Sequence, residues 1–316
     1  MGTVLVLGAG AVGSLFGARL AASGESVLLV GRSAHVEAIR HRGLTVEGVA
    51  PGTFRPQASV DIPRDWTGDA VLLTVKSFDL RTAASELARS VRPLPTALLG
   101  NGLGIEELAG DALRAGGWER PERFLVRVVH TVPATFVGPG TVRATGTGEL
   151  VVPDPRAAGE GASSVGVIVA LFRRGGFPVR TSADFALEVW RKVVVNAAIN
   201  PVTARHRVTN GALAEGPIRV EAQLLLEEAV DVARRYGVGL DLATARADLA
   251  RVVQATASNR SSMLQDVERG RPTEVDAISG EILRRGRALG MDLPATARAL
   301  EDVRRATGAA AATAQH

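Results

Sequence analysis

Residues 3–13 read Thr3-Val-Leu-Val-Leu-Gly-Ala-Gly-Ala-Val-Gly13, an apolar run that opens directly onto Gly-x-Gly-x-x-Gly. The run has no polar alternation, the mark of a parallel strand covered on both faces. Helical periodicity follows through Leu15, Leu20 and Ala21 to Gly24, and a second apolar run, Val27-Leu-Leu-Val30, closes a βαβ unit of about thirty residues. In that frame the glycines have separate tasks. Gly8 permits the tight turn, Gly10 lets a pyrophosphate reach the backbone, and Gly13 lets helix and strand pack closely. The helix N-terminus is then a site for the diphosphate. The stretch predicts a doubly wound parallel sheet of Rossmann type, with Gly8, Ala9, Gly10, Ala11, Val12 and Gly13 touching a dinucleotide.

Beyond the second strand the chain reads Gly31-Arg32-Ser33. A cofactor with a free ribose 2′-hydroxyl calls for Asp or Glu there, whereas Arg suits a 2′-phosphate, so NADP(H) is expected over NAD(H). Ala70-Val-Leu-Leu-Thr-Val75 is a further buried strand ending in Lys76, with a helix over 80–91 behind it. Thr96-Ala-Leu-Leu99 ends in Gly100-Asn-Gly-Leu-Gly104, before a helix that starts near Ile105. Ligands of doubly wound sheets bind beyond the carboxyl ends of the strands, where Lys76 and Asn101 fall. Residues 124–152 break into short strand signals around a Gly138-Pro-Gly140 turn, read as a mixed or antiparallel extension of the same sheet. A loop over 153–162, a helix over 165–174 and a last strand over 177–180 complete this half.

From Asp184 onward only helical periodicity is left, over 185–199, 218–236, 242–255, 275–289 and 294–306, with Gly237, Gly239 and Gly290 as stops. Strands and helices followed by helices alone predict two domains. The fold class is therefore α/β: an N-terminal Rossmann-type doubly wound sheet over 1–182, then an all-α domain over 183–307. An Ala-rich tail, 308–316, is set apart from the fold.

The first long helix of that second half carries the polar residues that need explaining. Val193, Val194, Val195, Ala197, Ala198 and Ile199 cover every direction of the helix, as in a buried segment. Lys192, Asn196 and Asn200 nevertheless stand at i, i+4 and i+8, forming one stripe because a helix turns about 100° per residue. A buried ammonium and two buried amides are costly unless a polar group or ligand meets them. Of 37 basic residues only two, Lys76 and Lys192, are lysines. Arg stays protonated, whereas an ammonium can deliver a proton, so Lys192 reads as a proton donor. Further on, Ser261 and Ser262 suit a helix N-cap, and Thr273 and Glu274 suit a helix start.

Composition narrows the function classes. The chain has 316 residues, 46% of them hydrophobic and 22% charged, the balance of an ordinary globular protein. A net charge of +4, with bases interleaved among acids, argues against nucleic acid as a partner. There is no Cys, which excludes thiol catalysis and Cys-ligated metals. The histidines at 35, 41, 130, 206 and 316 show no ligand spacing, and only His130, at a strand end, suggests a dehydrogenase acid. No signal or membrane segment is evident, so a cytoplasmic protein is expected. The apolar surface of the helical half is enough for a homodimer.

In order and spacing, Gly8-Ala-Gly-Ala-Val-Gly13, Val75-Lys76, Asn101-Gly-Leu-Gly104, Trp190-Arg-Lys192 with Asn196 and Asn200-Pro201, and Ser261-Ser-Met-Leu-Gln-Asp266 with Thr273-Glu-Val-Asp276 resemble the ketopantoate reductase family. The resemblance implies a cleft site between two domains and NADPH-dependent reduction of 2-dehydropantoate to pantoate, a step toward coenzyme A. By position it makes Lys192 the proton donor to the ketone oxygen and Glu274 its partner. Asn101, Asn196, Asn200 and Ser262 are implied to hold the substrate, with Asn210 a further candidate. The implied cofactor contacts are Gly8, Gly10, Gly13, Arg32, Lys76 and Asn101. Two departures stand out: Val128-Val-His-Thr-Val-Pro133 lacks the glycines usual near the nicotinamide, and the loop over 111–123 reads as extended. Both are expected to reshape the substrate pocket. A relative acting on another 2-keto acid, or a non-catalytic NADP(H)-sensing protein, are the competing readings.

Overall fold

The computed structural model describes the backbone of residues 1–313 and the side chains of residues 1–308. The chain divides by its contacts into two compact units, Met1–Gly100 with Ile105–Phe185 and Asn101–Gly104 with Ala186–His316. The loop Asn101–Gly104 thus packs with the helical unit although its neighbours in sequence do not.

In the first unit the chain runs β1 (Thr3–Leu7), α1 (Ala11–Ala22), β2 (Ser26–Val30), α2 (Ser33–Arg42), β3 (Leu44–Gly48), β4 (Gly52–Phe54), β5 (Gln57–Ser59), β6 (Ala70–Leu73) and α3 (Leu80–Ser90). It continues through β7 (Thr96–Leu98), α4 (Ile105–Ala115), β8 (Leu125–Arg127), β9 (Val129–His130), β10 (Ala134–Gly138), β11 (Thr141–Ala144), β12 (Leu150–Pro153), α5 (Ala162–Arg174) and β13 (Val179–Ser182). Six strands form one parallel sheet in the order β5-β2-β1-β6-β7-β8. From β1 the sequence first works outward to β2 and β5, then returns to the other side of β1 as β6. That reversal makes β1 and β6 the switch point of the sheet. Both are apolar runs buried along their length, as a strand covered on two faces requires. Behind them Phe16 of α1 stacks on Phe177 at 4.4 Å and meets Phe172 of α5 edge-on at 5.6 Å.

The region read as an extension of the main sheet divides instead among three sheets. Only β8 joins the main sheet, parallel to β7. The two residues of β9 pair antiparallel with β12, which runs parallel to β13. The hairpin β10–β11 belongs to a second sheet, β10-β11-β3-β4, anchored by Thr141 opposite Thr45. In β11 the buried positions alternate, Val142 and Ala144 facing in, so this strand has one covered face where β6 has two. Its partner β3 lies far away in sequence, beyond the reach of local periodicity. The loop read as extended over 111–123 is shorter than expected, since α4 runs to Ala115 and a 3-10 turn occupies Pro121–Arg123. Trp118 plugs the gap, fully buried, with its indole N–H donating to the Val91 carbonyl at 3.0 Å.

The helical unit contains α6 (Phe185–His206), α7 (Gly216–Arg235), α8 (Leu242–Ala255), α9 (Ser262–Glu268), α10 (Glu281–Ala288) and α11 (Pro294–Thr313). Helix α6 continues past 199, the last residue its periodicity predicts, through Pro201 to His206. Burial of Val202, Thr203 and Ala204 holds the last turns, and the Thr203 hydroxyl bonds the Ile199 carbonyl at 2.8 Å. The stretch 275–289 is helical as read, but its first turn, Asp276–Gly280, is a π turn that runs directly into α10. Helix α11 runs on into the Ala-rich end set apart above; residues 314–316 lie outside the described residues. No helix of the described residues is long and apolar enough to cross a membrane.

Candidate active site

At the switch point the three glycines separate by what surrounds them. Gly8 has φ +109°, and a Cβ there would lie 2.6 Å from the Val75 amide nitrogen, so turn and close approach both demand glycine. A Cβ on Gly13 would stand 2.4 Å from the Gly8 carbonyl oxygen and 2.5 Å from Thr74 Oγ1. Gly10 differs: its Cβ would meet nothing nearer than the Gly8 oxygen at 4.0 Å. The fold therefore requires Gly8 and Gly13, and leaves open space over Gly10 where a phosphate can approach. Gly10 is also the N-cap of α1, which has no side-chain cap and no acidic residue in its first turn. Unbonded N–H groups and the positive end of the helix dipole remain there for an anion. Ala9 is buried and its N–H donates to the Val30 carbonyl at 2.8 Å, tying the turn to β2. Ala11 and Val12 open the helix. These residues fit a dinucleotide diphosphate.

Arg32 follows β2 as the N-cap of α2, exposed and without an ion pair among the described residues. One turn later His35 is buried at 3% exposure. Its Nδ1 accepts from the Gly140 N–H at 2.9 Å, so the ring proton sits on Nε2, which lies 2.9 Å from Ser14 Oγ. Burial holds the imidazole below its ordinary pKa, which keeps this neutral tautomer in place. The ring thereby joins α1, α2 and the β10–β11 turn. Lys76 follows β6 with extended backbone, and its carbonyl opens the 3-10 turn Ser77–Asp79.

In the helical unit the stripe is as spaced: Lys192, Asn196 and Asn200 all lie on α6, the first two half-buried and Asn200 buried. Each step of four residues advances about 6 Å along the axis. Rotation of α6 is fixed next to Lys192, where Arg191 grips Asp248 of α8 with two bonds of 2.7 and 2.9 Å. Burial pushes the Asp248 carboxyl up, but hydrogen bonds and charge from Arg191 and Arg251 outweigh it and hold the group below the usual range. Glu274 is buried at 5% exposure, and its Oε2 accepts from Asn101 Nδ2 at 2.9 Å. These two groups are brought together from opposite parts of the chain.

Thr203 prolongs the stripe one turn past Asn200. Its hydroxyl is hydrogen-bonded to that of Ser261 at 2.7 Å, with both side chains buried. Ser261 is the N-cap of α9, accepting from the Leu264 N–H at 3.1 Å. Ser262 is therefore the first residue of α9, not its cap, and its side chain is exposed. Asn210 stands apart from the stripe. It opens a 3-10 turn, donates from Nδ2 to Thr256 at 2.9 Å, and leaves a buried Oδ1 without a hydrogen-bond partner among the described residues. Thr273 is buried, and its hydroxyl accepts from the Val275 N–H at 3.4 Å.

Sequence reasoning did not find the Arg191–Asp248 clamp, the Thr203–Ser261 pair or the His35 junction. Only Thr203 had a visible signal, since it stands at i+3 from Asn200. In the segment 128–133, Val128, Val129 and Val132 are buried, Thr131 is exposed, and His130 sits with Nε2 3.2 Å from the Leu99 carbonyl. That environment holds His130 as a packed residue against the Phe16 ring edge at 6.0 Å. Among the described residues no group of three or more His, Asp or Glu could hold a metal ion.

Set beside known proteins, residues 4–157 match the family described as ketopantoate reductase PanE/ApbA, and residues 184–306 match its C-terminal part. The 2-dehydropantoate 2-reductase of Archaeoglobus fulgidus is 36% identical over 296 residues, 92% of each chain. A PanE/ApbA family ketopantoate reductase from Ralstonia eutropha superimposes with a TM-score of 0.84 at 32% identity, over 99% of this chain and 100% of that one. D-mandelate dehydrogenase, solved with NADH and anilino(oxo)acetate, shares the fold with a TM-score of 0.89 at 23% identity, over 98% and 99% of the two chains. The chain belongs to the ketopantoate reductase family.

Proposed function

From that family membership we propose that the chain reduces 2-dehydropantoate to pantoate with NADPH, on the route to pantothenate and coenzyme A. The observation that carries the reading is the buried Glu274 carboxylate held by Asn101, in the same unit as the polar stripe of α6. A nicotinamide dinucleotide is supported by the open Gly10 cradle and uncapped α1 N-terminus, and its phosphorylated form by the exposed, unpaired Arg32. The matched reductase from Archaeoglobus fulgidus supports the substrate.

When bound, the nicotinamide supplies a hydride to the carbonyl carbon. The protein's share is to bind, orient and protonate. Lys192 stabilises the developing alkoxide and delivers its proton to the oxygen, an acid and electrostatic role combined. Glu274 orients the ammonium and the substrate, and Asn101 holds that carboxylate. Asn196, Asn200 and Ser262 take the substrate's carboxylate and hydroxyl, with Asn210 in support through its open Oδ1. Gly8 to Gly13, Arg32, Lys76 and Asn101 hold the cofactor.

The test is NADPH oxidation by the purified protein with 2-dehydropantoate, run beside NADH and beside other 2-keto acids. Turnover preferring NADPH and 2-dehydropantoate is expected. Faster turnover of another 2-keto acid would replace the substrate, and tight NADPH binding with no turnover on any of them would favour a sensing role.

A further inference from the structure

Immediately after Asn101 the chain makes a contact that leaves no room for a side chain. Gly102 has φ +98°, and a Cβ there would lie 2.3 Å from the Ala277 carbonyl oxygen and 2.7 Å from the Ala277 Cβ. The next residue, Leu103, is buried and donates its N–H to that same carbonyl at 2.9 Å. Ala277 belongs to the π turn Asp276–Gly280, which starts just past Glu274. One loop therefore touches one short segment at two places: Asn101 on the Glu274 carboxylate, and Gly102 with Leu103 on the Ala277 peptide of the π turn that follows. π turns are rare and concentrate at functional sites, since they redirect backbone groups that an α turn would keep in line.

We propose that the backbone seat of Gly102 and Leu103 on the π turn positions Asn101 against Glu274, making Gly102 and Ala277 positioning residues for the reduction. The inference rests on the proposed role of Glu274. An amide side chain on a loop is otherwise free to swing, and its single bond of 2.9 Å would not fix it. Docking the two following residues on the same segment leaves the amide only its own torsions to explore. The Asn101 amide is thereby kept on the carboxylate in one orientation.

Gly104 supplies the control. It too has a left-handed backbone, φ +70°, but a Cβ there would meet only the far end of the Glu281 side chain, at 3.3 Å. Both substitutions put a side chain on positive-φ backbone, and only Gly102→Ala also drives a Cβ into the Ala277 peptide and lifts the seat.

The experiment compares kcat, KM and NADPH affinity for Gly102→Ala, Gly104→Ala, Asn101→Ala and the Asn101→Ala/Gly102→Ala double variant. Gly102→Ala is expected to lose at least about tenfold in kcat relative to Gly104→Ala, in keeping with the cost of sub-ångström to ångström misplacement at a reacting centre. In the Asn101→Ala background the same change should cost less than about twofold, because it acts through Asn101. Equal kcat for the two glycine variants, or undiminished loss on top of Asn101→Ala, overturns the proposal. Should Gly102→Ala fail to fold, Ala277→Val pushes on the same contact from the other side and is held to the same cycle. Hydrogen exchange gives a readout independent of turnover: the Leu103 amide should be protected in the wild type and should lose that protection in Gly102→Ala but not in Gly104→Ala. If the wild type reduces no 2-keto acid, the functional reading fails on its own, and an unprotected Leu103 amide overturns the seat separately.

Discussion

Gly10 and Gly13 stand three residues apart in one motif, yet the structure assigns them opposite tolerances. At Gly13 a methyl group would run into the Gly8 carbonyl and the Thr74 hydroxyl, whereas at Gly10 it would meet only space. Gly13→Ala should therefore unfold at lower temperature, by several degrees, as expected of a substitution costing a few kcal/mol. Gly10→Ala should keep its melting temperature within about 2 °C, since replacing glycine at an N-cap with extended backbone changes stability by only a few tenths to about 1 kcal/mol. Its NADPH affinity should nevertheless fall at least about tenfold, because the methyl occupies the approach to the diphosphate. Thermal melts beside cofactor titration check both halves. The separate tasks of the three glycines were legible in the motif's spacing; the atoms that enforce them at Gly8 and Gly13 were not, because Val75 and Thr74 lie more than sixty residues away.

Among the elements, the junction of α1, α2 and the β10–β11 turn makes a pH prediction through His35. Burial lowers the folded pKa beneath the ordinary value of 6.5. A depressed value means that the unfolded chain takes up the proton more readily, so the junction's contribution is complete above pH 6.5 and is lost as pH falls through the folded value. Protonation would also place a proton on Nδ1 against the Gly140 N–H. The melting temperature should be flat above neutrality and decline below about pH 6.5, and His35→Gln should flatten that decline. The paired carboxylates Glu25, Asp248 and Glu281, all held below their ordinary values, contribute to acid loss only at lower pH, so the two windows separate. A slope unchanged in His35→Gln would remove His35 from the account. None of this was legible in the sequence: His35 reads there as one of five histidines without ligand spacing, and Gly140, whose N–H it accepts, is 105 residues away. The βαβ unit at the N-terminus could be read because each of its elements is long, apolar and local. Helix α6 reads from its periodicity only to Ile199, and burial of Val202 and Thr203 carries it on through Pro201 to His206.

For the whole molecule, the division into a sheet half and a helical half follows from where strand signals cease, but the loop Asn101–Gly104 crosses that division. Its contact with Glu274 spans 173 residues, so no spacing rule could have joined the two. What the sequence did carry was residue type: one of only two lysines in an arginine-rich chain, and two amides in line with it on an apolar helix. Those are costly placements, and costly placements mark sites whether or not their partners are visible. The account's central claim is accordingly the role of Lys192. The most direct measurement is the turnover of Lys192→Ala with NADPH and 2-dehydropantoate, alongside its affinity for NADPH. Loss of the acid should lower kcat by about 10²- to 10⁴-fold while NADPH binding stays within about threefold of the wild type. A variant that binds NADPH normally and turns over at a near wild-type rate would contradict the claim.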